Sequence, residues 1–288
     1  MSLCVLQPKE KDLGDFSVKR VLPAPNRRMV GPFIFFDHFG PVEFAPTKGI
    51  SVRPHPHIGI ATITYLFEGE IIHRDSLGYT QPIQAGAVNI MTAGKGIVHS
   101  ERSGKDIAQR SRLHGIQSWM ALPDHFEDCD PEFIHYPEAE VPTVEHNGCR
   151  IKVIMGEAFG TLSPVKNYSP IRYLDCHAPK GCSLELPDDQ AEIAVYIVEG
   201  SATVSSNEVT ETHSKGAMVI APEGGQLTVS AQSDCHCVVI GGDSVGERHI
   251  WWNFVSVSKD KIELAKERWR SGRFDPVPGD DEWIPLPD

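Results

Sequence analysis

The chain has 288 residues, room for one large domain or two ordinary ones. With 40% hydrophobic and 23% charged residues it has the make-up of a globular chain with apolar mass enough for a core. A net charge of -12, with no cluster of Lys and Arg to offset it, argues against direct nucleic-acid binding through phosphates, and no apolar run reaches the length of a membrane-spanning helix.

The opening "MSLCVLQPKEKDLG" lacks the apolar core of a signal peptide. Seven cysteines, Cys4, Cys129, Cys149, Cys176, Cys182, Cys235 and Cys237, are odd in number and scattered, which speaks against a disulfide framework. A reducing, cytoplasmic compartment is therefore expected. From about Phe33 to Gly241 the chain is a series of short β-rich runs broken by Gly, Pro, Asn or Asp, such as "PFIFFDHFG", "ATITYLFEGE", "GAVNIMTAG" and "IAVYIVEGSATV". Spacing of this kind predicts an all-β chain of antiparallel strands closed into a sandwich or barrel.

Within "RPHPHIGIATITYLFEGE", His55 and His57 stand at i and i+2. On a strand these positions share a face, and in a small barrel that face is the interior. Two imidazoles can thus meet on one ion, but two ligands do not complete a site. The best further donors are His99 and Glu101 in "TAGKGIVHSER", again at i and i+2, just after the tight turn of Gly94 and Gly96. Three imidazoles and one carboxylate form a borderline set suited to Fe, Mn, Ni, Cu or Zn rather than Ca or Mg, with positions left open for chemistry. The competing reading is a pair of polar residues at a strand end; the second pair of ligand-type residues weighs against it.

The pattern recurs. "TITYLFEGE" (62–70) matches "IAVYIVEGS" (193–201) at an offset of 131, and "AGAVNIMTAG" (85–94) matches "KGAMVIAPEG" (215–224) at 130. Two collinear matches predict a duplicated β-domain. Shifted by these offsets, His55 and His57 fall on Leu186 and Asp188, and His99 and Glu101 on Val229 and Ala231. The second copy keeps the strands and loses the donors, so the fold itself does not demand histidine there. The boundary is expected in the Pro-rich, acidic stretch 121–148. "SAQSDCHCVVIGG" reads as a buried strand rather than a metal motif, because Cys is often a small core hydrophobe. Residues 256–274 predict a helix, with Ser258 as N-cap, Ile262, Ala265 and Trp269 on one face and Gly272 as its stop. The Pro-rich tail after it is expected to pack by Trp283 and Ile284 or to stay loose.

"RPHPHIGIATITYLFEGEIIHRDSLG", "AGAVNIMTAGKGIVHSER", "GPFIFFDHFGP" and "WNFVSVSKDKIELAKERWRSGRF" together resemble the pirin family of the cupin superfamily, in its bacterial pirin-like branch. The resemblance spans nearly the whole chain. It implies a bicupin: two antiparallel jelly-roll barrels, with a metal-binding N-terminal barrel over 1–130, a C-terminal barrel without metal ligands over 149–245, and a helix and extended tail over 246–288. It implies one divalent transition metal, iron in first place with Mn, Ni, Cu, Zn or Co as other candidates, held by His55, His57, His99 and Glu101. Some pirins show quercetin 2,3-dioxygenase activity, which implies O2 and a flavonol-like or other small aromatic substrate, and Glu101 as the base that takes the flavonol proton. The mammalian member is a nuclear transcriptional co-regulator, which implies the alternative of a metal-dependent, redox-sensing protein that binds a protein partner. A monomer with no membrane contact is expected. Two positions depart from the family: Ala61 and Ile58 stand where pirins often carry Glu and Arg. Asp37 and His38 in "FFDHFG" are candidates to orient a ligand histidine, and His73, His114 and Trp119 are candidates to line the pocket.

Overall fold

The computed structural model describes residues 2–287 apart from Asp15, 105–108, 188–190, Glu208 and Glu223. The chain divides into two compact units that are discontinuous in sequence. The first comprises Lys11–Val18, Asp37–Glu138 and Val245–Asp288; the second comprises Met1–Glu10, Lys19–Phe36 and Ala139–Ser244. The C-terminal helix and tail thus belong to the unit that carries the histidine segments, and the first strand, Cys4–Leu6, pairs with Met218–Ile220 in the other.

In the first unit a four-stranded antiparallel sheet runs in the order Ser51–His57, Ile97–Ser103, Glu70–Asp75, Thr80–Gln84. Its larger companion sheet is centred on Ile60–Glu68, which pairs with Val88–Thr92 on one side and Ser111–Ala121 on the other. The second unit repeats the plan. Its four-stranded sheet runs Ser183–Glu185, Thr228–Ala231, Ser201–Ser206, Val209–Ser214. The larger sheet is centred on Glu192–Glu199 and Cys235–Gly242. Alternate residues of both sheets, among them Ile151, Val195, Val239, Val204 and Val229, fill the core between them.

The duplication is visible in backbone hydrogen bonds. Gly86 N donates to Leu66 O at 2.9 Å, and Gly216 N donates to Ile197 O at 2.8 Å. Tyr65 pairs with Val88 as Tyr196 pairs with Met218. Gly69 and Gly200, the matched turn residues, have φ of 95° and 80°, a region that glycine enters without a Cβ penalty.

One pairing refines the match. His99 lies opposite His55, whereas Val229, its counterpart, lies opposite Leu184. The strand register therefore sets Leu184 and Leu186 in the places of His55 and His57, an offset of 129 in place of the 131 read from the turns; Asp188 lies outside the described residues. Leu184, Leu186, Val229 and Ala231 are all buried in one apolar core. The second unit has replaced imidazoles with aliphatic packing.

The expected helix spans Lys259–Arg270 and buries Ile262, Ala265 and Trp269. Gly272 closes it at φ 64°, its N–H bonded to Trp269 O. Ser258 occupies the N-cap position, but its side chain makes no capping bond. Ser256 does this work instead: its Oγ accepts from Ser258 N at 3.0 Å and donates to the buried carboxylate of Glu127 at 2.9 Å. The tail is packed. Ile284 N donates to Pro54 O at 2.9 Å, Trp269 Nε1 donates to Ile284 O at 2.9 Å, and Arg102 pairs with Asp280 and Glu282. Trp283 packs tilted against Trp269, ring centroids 5.7 Å apart, with half of its own surface exposed. Among the described residues no helix is long and apolar enough to cross a membrane.

Candidate metal centre

His55 and His57 lie on the strand Ser51–His57, and His99 on its antiparallel neighbour Ile97–Ser103. His99 sits directly opposite His55 in the ladder, and the i,i+2 rule brings His57 to the same face. One ring nitrogen from each lies within 4.8 Å of the others, and His57 Nε2 stands 3.1 Å from His99 Nε2. Two donors about 2.1 Å from one ion at right angles are separated by about 3 Å, so this spacing is that of a shared ligand sphere. The ring centroids of the three are 4.4 to 5.0 Å apart.

A bulge fixes one tautomer. Between His99 and Glu101 the ladder slips, because His55 and Val52 face residues only two apart on the partner strand. The carbonyls of the extra stretch are used elsewhere. That of Arg53 accepts from His55 Nδ1 at 2.8 Å, and that of Pro54 accepts from Ile284 N. With Nδ1 protonated, His55 presents the lone pair of Nε2 to the cluster. His99 Nδ1 is buried without a hydrogen-bond partner.

Electrostatics favour neutral rings. Burial lowers the pKa of His55 to about 4, against a smaller raising effect of the Arg53 carbonyl. His57 and His99 are held well below the usual histidine range, first by burial and then by the charge of neighbouring imidazoles. Neutral imidazole is the form that binds a metal. Such a cluster also makes the metal-free protein acid-sensitive. The unfolded chain takes up a proton on His55 near 6.5 and the folded one near 4, so stability is full above 6.5 and is lost as pH falls. His55 alone costs about 2 kcal/mol between pH 7 and pH 5. Denaturant unfolding of metal-stripped protein at the two pH values measures this, and equal stability at both would refute it.

Glu101 stands apart from the three-nitrogen cluster. Its residue is half-buried, but its carboxyl group is enclosed, and burial pushes its pKa up against the opposing effects of His73 and of a bond from Thr64. Thr64 Oγ1 lies 3.3 Å from Glu101 Oε1 and 2.7 Å from the Gln117 amide oxygen. One hydroxyl proton cannot serve both. With the Gln117 amide turned to donate, a relay Gln117 to Thr64 to Glu101 is complete. His73 lies opposite Glu101 in the ladder, donates to Asp75 Oδ2 at 2.9 Å and stacks on Phe133.

Trp119 presents its ring to His57 at 5.0 Å. His38 and His114 meet at 2.8 Å between their Nε2 atoms, outside the cluster, and Asp37 is buried. Ile58 is on the face opposite the histidines. With Val98 it packs against Phe254, Ile262 and Trp269, so an apolar residue is required there. Ala61 is fully buried, opposite Thr92 and Met120. The pattern of alternation could have revealed this clamp: His57 and His99 point inward, while Ile58 and Val98 beside them point to the helix.

Two jelly-roll units, one with a histidine centre and one with an aliphatic interior, define a bicupin. The chain belongs to the pirin family: the pirin family model matches residues 15–120, and that of the pirin C-terminal cupin domain matches 173–275. A pirin-like protein of Caulobacter vibrioides is 46% identical over 288 residues, 99% of each chain. A crystal structure of quercetin 2,3-dioxygenase from Acinetobacter baumannii superimposes with a TM-score of 0.90 at 33% identity, covering 99% of this chain and 95% of that one. The Escherichia coli pirin YhhW, solved with nickel(II), shares the fold at a TM-score of 0.64 and 18% identity, over 84% of this chain and all of that one.

Proposed function

We propose that His55, His57, His99 and Glu101 hold one divalent first-row transition ion, iron in first place, and that the centre opens flavonols with O2 in the manner of a quercetin 2,3-dioxygenase. The observation that carries this reading is the convergence of three buried imidazole nitrogens, with the enclosed carboxyl group of Glu101 two residues along the strand from His99. Similarity at 33% identity to a quercetin 2,3-dioxygenase supports the substrate class. When bound, the metal supplies a Lewis acid for the adjacent hydroxyl and carbonyl oxygens of the substrate and an electron partner for O2.

The chain's own residues do the rest. The three rings, kept neutral by burial, fix the ion without adding charge. Glu101 takes the proton of the substrate hydroxyl, a role suited to a carboxylate whose hold on a proton is strengthened by burial. Thr64 and Gln117 hold its carboxyl in place. Trp119, edge-on to His57, gives the site an aromatic wall.

The test is aerobic turnover of quercetin by protein loaded with Fe, Mn or Ni. Activity above that of His99→Ala is expected with at least one metal, and none with any would reject the reading. Glu101→Gln is expected to lower kcat by roughly 100-fold or more at saturating metal, the usual contribution of a general base, with metal affinity lowered separately by loss of the carboxylate ligand.

A further inference from the structure

The second unit carries another group of metal-type donors, on the outer side of its larger sheet. The strands Ile171–Ala178 and Cys235–Gly242 run antiparallel, with His177 opposite His236. Asp175 is two residues before His177 and so shares its face. Leu174, Cys176, Cys235 and Cys237 take the opposite face, into the core. The sequence hides this group, because His236 stands between two cysteines that read as core.

One ligand atom from each of Asp175, His177 and His236 lies within 4.8 Å of the others. Asp175 Oδ1 is 2.6 Å from His236 Nε2 and 3.6 Å from His177 Nε2. Donors in a tetrahedral shell about 2.0 Å from Zn2+ are about 3.3 Å apart, and these two distances bracket that value. The imidazoles are stacked at 4.1 Å and 13°, and both Nε2 atoms lie within 3.6 Å of Asp175 Oδ1. Asp175 and His236 are buried; the His177 side chain is half-exposed at 49%. Burial, and then the neighbouring His236, lower the pKa of His177, so its ring is neutral and offers a lone pair.

The surroundings suit a cation. The group opens on a cavity of about 800 Å³ that His177 and His236 line together with Glu145, Glu199 and Asp234, against one positive charge, Arg150, among the described lining residues. Solvent in the cavity can complete the coordination that three protein donors leave open.

We propose that Asp175, His177 and His236 form a second metal site of the protein, binding a divalent ion of the Zn2+ class through two imidazoles and one carboxylate. It is separate from the centre of His55, His57 and His99, and its ligands come from the outer face of a sheet rather than a barrel interior. The ion takes the place of the proton between Asp175 Oδ1 and His236 Nε2.

The experiment is equilibrium dialysis of the full-length, metal-stripped protein against Zn2+, with zinc measured by elemental analysis. The wild type is expected to hold two equivalents. His177→Ala with His236→Ala is expected to hold one, and so is His55→Ala with His99→Ala, the two pairs removing different sites. His177→Ala alone, at a half-exposed position that tolerates change, is expected to weaken the second site by roughly tenfold or more while circular dichroism stays unchanged. One equivalent in the wild type, or two in the His177, His236 variant, would overturn the proposal. Neither result bears on quercetin turnover, which reports the other centre.

Discussion

Replacing His99 by Ala is expected to abolish stoichiometric metal in the first unit and with it any turnover. Three features make this residue the most sensitive of the four. Its Nε2 stands 3.1 Å from that of His57, and its ring centroid is 4.4 Å from that of His55, so it joins the two histidines of the other strand. Its loss leaves two imidazoles on one strand and a carboxylate that is outside their cluster. Loss of residues that merely orient ligands weakens metal sites 10- to 100-fold, and removal of a ligand is expected to cost at least as much, about 1.4 to 3 kcal/mol or more. Folding is not expected to suffer in step, because the variant also removes a buried ring whose charged form is disfavoured first by burial and then by the neighbouring imidazoles. Elemental analysis of the purified variant beside the wild type, with circular dichroism as control, checks both halves. A variant that retained as many equivalents as the wild type would mean that His99 does not hold the ion.

The histidine centre was legible in the sequence for a physical reason. A strand puts i and i+2 on one face, so two short segments already state which side chains converge. The duplicated unit acts as an internal control, since it repeats the turn residues Gly69 and Gly86 as Gly200 and Gly216 and fills the ligand places with Leu184, Leu186, Val229 and Ala231. What was not legible depends on pairing across long separations. The exact match of His55 to Leu184 follows from cross-strand register: Leu184 stands 16 residues before Gly200 and His55 14 before Gly69, so the second unit has two more residues on the way to the turn, which a turn-based count carries back onto the wrong position. Arg102 reaches Asp280 across 178 residues, and nothing local in either segment announces the partner. The group of Asp175, His177 and His236 is split between strands 61 residues apart in sequence at its closest contact. Each of its members has a commonplace reading when taken singly.

The C-terminal helix is expected to govern the stability of the first unit, and Trp269→Ala is the change that measures it. Trp269 is 7% exposed and sits in one apolar cluster with Ile58 and Val98, the residues adjoining His57 and His99. It meets Phe274 edge-to-face at 5.9 Å and Trp283 at 5.7 Å. Truncation of a buried Trp to Ala costs about 3 to 5 kcal/mol, from lost transfer and the cavity left behind. The indole has a second task. Its Nε1 donates to Ile284 O, and Ile284 N donates to Pro54 O on the strand of His55 and His57. Removing it therefore loosens the tail as well as the cluster, and leaves the Ile284 carbonyl without this donor. Denaturation followed by circular dichroism should show the unit carrying the helix unfolding at lower denaturant, with the free energy of unfolding reduced by that amount. Leu264→Ala on the same helix, at an exposed position, should change stability by less than about 0.5 kcal/mol. Because the cluster backs the ligand strands, Trp269→Ala is also expected to speed metal release from the histidine centre. Equal release rates in variant and wild type, with stability lowered, would show that the helix supports the fold without restraining the ligands.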